Sequence, residues 1–536
     1  MINISGFKGE IPRLSDKLLP ENYAASAINC NLESGNIQPV KGSTAIQDVG
    51  AAITTIFRMD DSFLQWDENV SVVKALVADS GDRILFTGAG YPKETNAALS
   101  LVSSPFPTNV RRLGIPAPTN ALTVALIGTP GDDVVHASSY VYTIVGKWAD
   151  GSEVESGPSS PTAVFDVYGG ITPRLTGFTD ATADGAYTTH SRIYRLNSGN
   201  VGAEYQYVDE MAVATTQYDD EKTDDDLGEV LPTVGWTSPD AALSGLVATS
   251  HGLVFGFVGN TIYPSEIFIP YAFPAEYSLV TESDIVGLGY TGSLVVVLTQ
   301  TVPYMLIGQD PETLSLRRLG YQQKCVSARS IVNVPGGVMY ASPDGLYLIN
   351  EAGLGLLVTE KIFTKNQWKA LSPENLFGVY YNEYYIGFFS GTTSGFSLHL
   401  ETGEYQAITS AQNVYGGAYS SDADLLYLIQ TKDAVREIVS YRTGSNVDYT
   451  WISKVFEFRS RQIFTAGKVQ GAFAAGNVTL SFYVDGVLDT SKVIGDDNLF
   501  RVNLKGGTSF QIKAVGKATI DQILIGRSVS EVTKGA

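Results

Sequence analysis

The sequence predicts an all-β chain: a β-propeller interrupted by an inserted sandwich domain and followed by a C-terminal antiparallel β-sandwich. Three observations lead there. Short runs rich in Val, Ile, Tyr, Phe and Thr recur along the 536 residues, separated by Gly, Asn, Asp and Pro. From about Ala241 to Gly444 a new group of such runs begins every ~40 residues, the spacing of propeller blades. The texture then changes at two places, around Pro116 and Pro118 and again near Tyr449.

Residues 1–50 read as an N-terminal segment joining the propeller. Within it, Lys17 to Leu32 predicts a helix, because Leu18, Ala25, Ile28 and Leu32 have roughly helical spacing and Pro20 suits a first turn. Residues 51–116 read as the first blade, with the hairpin KALVADSGDRILFTG. Residues 117–240, bounded by Pro116, Pro118, Pro232 and Pro239, read as a domain inserted into a blade loop, where insertions are tolerated. Residues 241–448 hold the remaining blades, with units starting near Gly245, Ile285, Ser327, Phe377 and Tyr415, which makes five or six blades in all. GLVFGFVGNTIYPSE, GGVMYASPDGLYLINEAG, GVYYNEYYIGFFSG and LLYLIQTKDAVREIVSY are hairpins in this stretch. Residues 449–536 alternate apolar and polar positions in about seven strands of a sandwich. A propeller buries both faces of each small sheet and leaves only short edges; an elongated array of sandwiches is the alternative.

Composition excludes several functions. The chain is 44% hydrophobic and 17% charged, too apolar for a disordered protein. Its net charge of −20 and pI near 4.6 argue against a nucleic-acid coat. The acidity is uneven: residues 118–240 carry net −14, whereas residues 451–536 carry +4. The N-terminus lacks the basic start and apolar core of a secretory signal. The most apolar run, Gly292 to Gly308, is broken by Thr299, Gln300, Thr301 and Pro303 and reads as two buried strands around a turn, not a membrane span. A soluble chain made in a reducing cytoplasm is expected.

The chemical motifs are weak, and no catalytic, metal or cofactor site is expected. His136, His190, His251 and His399 have no zinc spacing and read as surface or satisfied histidines. Cys30 reads as a small buried hydrophobe, while Cys325 follows Lys324, a cation able to lower a thiol pKa. The acidic run Asp219 to Asp226 lacks the register of a calcium loop and reads as solvated. Arg58, Arg111 and Arg112 likewise read as solvated loop cations. SPDGLYLI, Ser342 to Ile349, resembles the Asp-box turns of sialidase propellers but lacks their downstream tryptophan. Paired carboxylates for glycoside hydrolysis come together only in a fold, so a sialidase-like or glycan-binding propeller is the main rival function.

Two resemblances add to this reading. In the insertion, YVYTIVGKWADGSEVESGPSSPTAVFDV resembles fibronectin type III-like domains, where a strand precedes an E-S-G-P-S turn. The opening FKGEIPRLSDKLLPENYAASAINCNLESGNIQPVKG, the later VFGFVGNTIYPSEIFIPYAFPAEY, and VLTQTVPYMLIG with GYQQKCVSARSIVNVPGGVMYASPDGLYLI resemble the tail nozzle (tail hub, tail tubular protein B) family of short-tailed bacteriophages. That resemblance implies a non-enzymatic virion protein without cofactors. It implies a homohexameric ring at the distal tail, assembled in the host cytoplasm. The implied partners are a tail adaptor on the portal, fibres or spikes, a needle or plug, and double-stranded DNA in transit without sequence-specific binding.

Overall fold

The computed structural model describes residues 1–76, 82–180, 185–199 and 202–535. It is all-β, and its propeller is legible in the way its cores are shared. Seven hydrophobic clusters each straddle two neighbouring blades and together close a ring. For example, Leu298 and Met305 of one blade pack with Val338 and Tyr340 of the next. Phe377 and Phe388 pack in the same way with Val414 and Leu426. No blade therefore has a complete core of its own.

The blades have clear boundaries. Five four-stranded units follow the insertion, with inner strands Ser244–Ala248, Ile285–Tyr290, Val332–Val334, Leu376–Tyr381 and the second half of Tyr405–Ser420. These positions match the expected unit starts. Tyr405–Ser420 serves two blades: its first half is the outer strand of one, and from Val414 onward it is the inner strand of the next. The hairpin turns use left-handed residues where the tight geometry demands them, as at Asn382 (φ 49°) with Glu383 (φ 67°), and at Asp433 (φ 49°).

Residues 51–116 hold two units, not one blade. Thr55–Met59 and Ser62–Trp66 form a two-stranded hairpin, and Ser71–Lys74, Ile84–Thr87, Lys93–Thr95 and Arg111–Arg112 form a four-stranded blade. The ring thus has seven spokes, one of them short, where five or six were expected. The short blade was hidden because two strands give no blade-length period. The expected turn of the KALVADSGDRILFTG hairpin falls at residues 77–81, outside the described residues.

The N-terminal segment joins the propeller as expected: Thr44–Val49 is the outer strand of the last blade against Val435–Ser440, and Ile28 pairs in parallel with Ala407. Earlier residues build the C-terminal sandwich: Ile2–Ser5 pairs with Thr519–Gly526, and Tyr23–Ile28 with Tyr449–Ser453. The expected helix is therefore a strand. Of the four residues whose spacing suggested a helix, Leu18 is exposed, Ala25 and Ile28 are half-buried and only Leu32 is buried; the strand buries Ala24 and Ala27 instead.

The sandwich core centres on Trp451, fully buried, with Phe7 edge-on at 5.0 Å and its indole N–H donating to the Lys8 carbonyl at 3.3 Å. Beside this core, Glu10 accepts from the Ala27 N–H at 2.5 Å, and burial pushes its carboxyl up to about 7. A carboxyl raised in the folded state is protonated there while the unfolded chain is ionised, so stability falls as pH rises from ~4.5 to ~7. Glu10→Gln should therefore be more stable than the parent by about 3 kcal/mol at pH 8 and indistinguishable from it at pH 4. Chemical unfolding at both pH values checks this. Removing residues 1–49 should loosen both the sandwich and the last blade, read as new proteolytic cleavage in each.

Candidate functional site: the propeller axis and the inserted domain

The inner strands surround the propeller axis. A cavity of about 330 Å³ remains between four blades, bordered by Asn69, Ser71, Thr87, Ser244, Leu288 and Ile331. None of its lining side chains is titratable. Glycine lets the strands approach: a Cβ on Gly287 would meet Ile331 at 2.5 Å, and one on Gly416 would meet the Thr54 carbonyl at 2.1 Å.

Beside this axis the chain crosses from the last blade to the first, and two arginines hold the crossing. Arg436 donates to the Ile53 carbonyl and lies 3.6 Å from the Tyr415 ring. Arg329 donates to the Thr54 carbonyl at 3.1 Å and lies 5.1 Å from the Phe377 ring. Burial, with Arg436 nearby, lowers Arg329 to about 10. Among the described residues neither arginine has a carboxylate within ion-pair distance. Their partners are backbone oxygens, so their geometry is that of a clasp.

The inserted domain is a sandwich. Glu153–Glu155, Tyr140–Lys147, His190–Gly199 and Gly202–Ala212 form one sheet, and Thr123–Gly128, Ile171–Thr176 and Gln217–Asp219 the other. The E-S-G-P-S stretch is not a turn. Ser156, Ser159 and Thr162 run alongside Tyr140–Lys147, their N–H groups donating to the carbonyls of Ile144, Tyr142 and Tyr140. The hydroxyl oxygens of the same three residues accept from the N–H groups of those partners at 2.9, 3.1 and 2.9 Å. Hydroxyls replace carbonyls in half of this ladder, a role that short polar side chains such as Ser and Thr can fill.

The acidic run is structural and only partly solvated. Asp219 forms a two-pronged pair with Arg174 at 2.7 Å. Asp220 is fully buried, accepts from Tyr140 at 2.6 Å and pairs with the equally buried Arg195 at 2.7 Å. Asp224 takes the other arm of Arg195 at 2.9 Å, and Asp226 caps Thr223. The solvated reading failed because the counter-charge comes from a strand about 25 residues upstream. A second network joins Arg192 to Glu153, Glu155 and Glu210. The insertion is fixed to the second blade by stacked cations: Arg83 and Arg111 lie 4.0 and 3.9 Å from the Trp148 ring, and Arg111 lies 3.4 Å from Tyr187. Beneath them Glu94 is buried and pushed up to about 7 by that burial, with Arg83 and Arg111 pulling it back.

Most of the residues singled out by sequence take part in packing. Arg111 is thus a stacked interface residue, and Arg58 pairs with Asp61 at 2.7 Å. Arg112 lies 5.9 Å from the Tyr91 ring. Cys30 and Cys325 are buried; burial pushes the Cys325 thiol up to about 12, overriding any influence of Lys324. His190 contacts Thr189 at 2.9 Å, and His399 accepts from the Glu401 N–H at 3.2 Å. His136 departs from expectation: both its ring nitrogens are buried without a hydrogen-bond partner, 4.0 Å from Asp224 at the nearest. No cluster of three or more metal-ligating side chains forms among the described residues. No helix among them is long and apolar enough to cross a membrane.

In the Asp-box-like turn, Ser342 closes on the Gly345 carbonyl and Asp344 pairs with Lys365 at 2.6 Å. The tryptophan missing downstream arrives from the short helix Lys365–Ala370, where Trp368 donates to the Ser342 carbonyl at 2.9 Å.

No family model matches the chain, and no curated protein matches it. Among solved structures it is similar to Hsv2 of Kluyvelomyces marxianus, at 11% identity and TM-score 0.26 over 52% of this chain and 70% of that one. It is similar to the AfRom2 CNH domain, at 11% identity and TM-score 0.26 over 60% and 93%. It is also similar to Raptor of Chaetomium thermophilum, at 10% identity and TM-score 0.32 over 76% of this chain and 29% of that one. Likenesses this weak add nothing to the reading of the sheets.

Arg195→Ala leaves Asp220 charged and buried and should cost about 3–5 kcal/mol. Hydrogen exchange should accelerate across Tyr140–Lys147 and leave the C-terminal sandwich unchanged.

Proposed function

We propose that this chain is a structural virion protein, a tail nozzle of the short-tailed phage type, whose copies form a ring around the path of the genome. The observation that carries the reading is the architecture: a propeller interrupted after its second blade and tied through its N-terminal strands to a terminal sandwich. This agrees with the domain order that the sequence resemblance implies. In this reading the genome path lies between copies, as the hexamer that the resemblance implies would place it. An axis cavity without titratable side chains weighs against the sialidase-like rival, which needs clustered arginines with a Tyr–Glu pair there.

The partners of this reading are a second copy of the chain, a tail adaptor on the portal, fibres or spikes, and a needle or plug. DNA passes without sequence-specific contact, and the protein resides in the virion tail.

Negative-stain microscopy and mass photometry of the purified chain, alone and with its adaptor, should reveal sixfold rings. Persistent monomers in both conditions, or hydrolysis of a fluorogenic sialoside, would sink the proposal.

A further inference from the structure

Where the last two blades meet the start of the C-terminal sandwich lies a cleft of about 330 Å³. Three passages of the chain line it. The first is Lys41 to Ser43, where Lys41 bridges to Asn446 and the Gly42 N–H donates to the Ser445 carbonyl at 2.8 Å. The second is Tyr441 with Arg442, just past the strand Val435–Ser440. The third is the crossing of Tyr405–Ser420 from one blade to the next. There the register with Thr392–His399 jumps from Thr409 to Val414, and pairing with Leu425–Lys432 begins only at Val414. Ser410 and Ala411, which line the cleft, thus have no partner in either ladder.

The charge of this cleft has one sign. Lys41 and Arg442 are its charged lining residues, and no carboxylate lines it. Among the described residues neither cation has a carboxylate within ion-pair distance. Two acids close to its surroundings are engaged by neutral groups: Glu437 accepts from Gln430 at 2.8 Å, and Glu33 from Tyr384 at 3.0 Å. Polar atoms in the cleft lack partners as well. Tyr441 is 6% exposed, and its hydroxyl and the Arg442 Nε are both buried without hydrogen-bond geometry to any described group. Arg442 is also held at φ 56°, the only lysine or arginine among the described non-glycine residues in the left-handed region. Glycine would take that conformation without strain.

We propose that this cleft binds a phosphate monoester, with the phosphate on Arg442 and Lys41 and the organic body against Val40, Phe388, Ile408 and Val447. Two unpaired cations call for close to two negative charges, which a monoester carries at neutral pH and a single carboxylate does not. The guanidinium fork can bond two phosphate oxygens at once, and the ammonium adds a point charge. The hydroxyls of Ser43, Thr409 and Ser410 line the same cleft and can serve the remaining oxygen. Buried polar atoms left unpaired cost free energy, and an oxyanion supplies acceptors for both the Arg442 Nε and the Tyr441 hydroxyl. The inference stands independently of the nozzle reading, since it follows from the cleft alone.

The probes are glycerol 3-phosphate and deoxyadenosine 5′-monophosphate, titrated into the full chain by calorimetry at physiological ionic strength, with glycerol and sodium acetate as controls. Saturable one-to-one binding of at least one ester is expected, and of neither control; the tighter ester identifies the organic body that the cleft takes. Arg442→Gly should weaken binding about tenfold or more while melting at or above the parent temperature, because φ 56° suits glycine. Lys41→Met, at an exposed residue, should weaken binding several-fold. Lys361→Met, exposed and outside the cleft, should leave it unchanged. Absence of saturable binding by both esters, equal binding of acetate, indifference to both Arg442→Gly and Lys41→Met, or an equal loss in Lys361→Met would each overturn the proposal.

Discussion

The structure depends on closing the ring. Because each apolar core is shared by two blades, a missing closure exposes a whole inter-blade face. The closing core gathers Val49, Ile56 and Phe63 from the first part of the chain with Tyr427, Ile429 and Ile438 from the last blade. Strand Thr44–Val49 supplies the backbone bonds, and the next two carbonyls that matter, of Ile53 and Thr54, go to Arg436 and Arg329. A hydrogen bond to a charged donor contributes about 1.5–3 kcal/mol. Two at a closure point are therefore comparable to a large fraction of the net stability of a domain.

The insertion solves a different problem, that of holding a highly acidic domain together. It carries five basic residues against nineteen acidic ones. Lys147, Arg174, Arg192 and Arg195 form ion pairs inside the domain, and Lys222 donates to the Val208 carbonyl. The cations that attach the domain come instead from the propeller, as Arg83 and Arg111. What remains outward is acidic, so the domain keeps a surface of one sign while its interior is neutralised.

Much of this was legible in the sequence. The unit starts at Gly245, Ile285, Phe377 and Tyr415 fall on or beside inner strands, because each blade opens with an apolar strand after a turn. The C-terminal alternation became the expected sandwich. The rest was hidden for physical reasons. Leu18, Ala25, Ile28 and Leu32 fall at helical spacing in the sequence, but the strand Tyr23–Ile28 buries Ala24 and Ala27 between them. Asp220 looked solvated because Arg195 and Tyr140, which bury it, are remote in the chain. Trp368 is supplied to its turn by a helix that no local motif announces.

The order of synthesis meets an obstacle in this topology. Ile2 pairs with Ile525, and Thr44 with Ser440, so early strands of this sequence have partners among its late ones. Ile2–Ser5 and Thr44–Val49 must wait for partners about 390 residues away or further, and contacts so distant in sequence are slow to form. The polar stretches between them, such as Ser15 to Lys17 and Asn31 to Asn36, would keep that waiting segment in solution. The late capture of this segment is then the step that converts a string of half-cored blades into a single cooperative body.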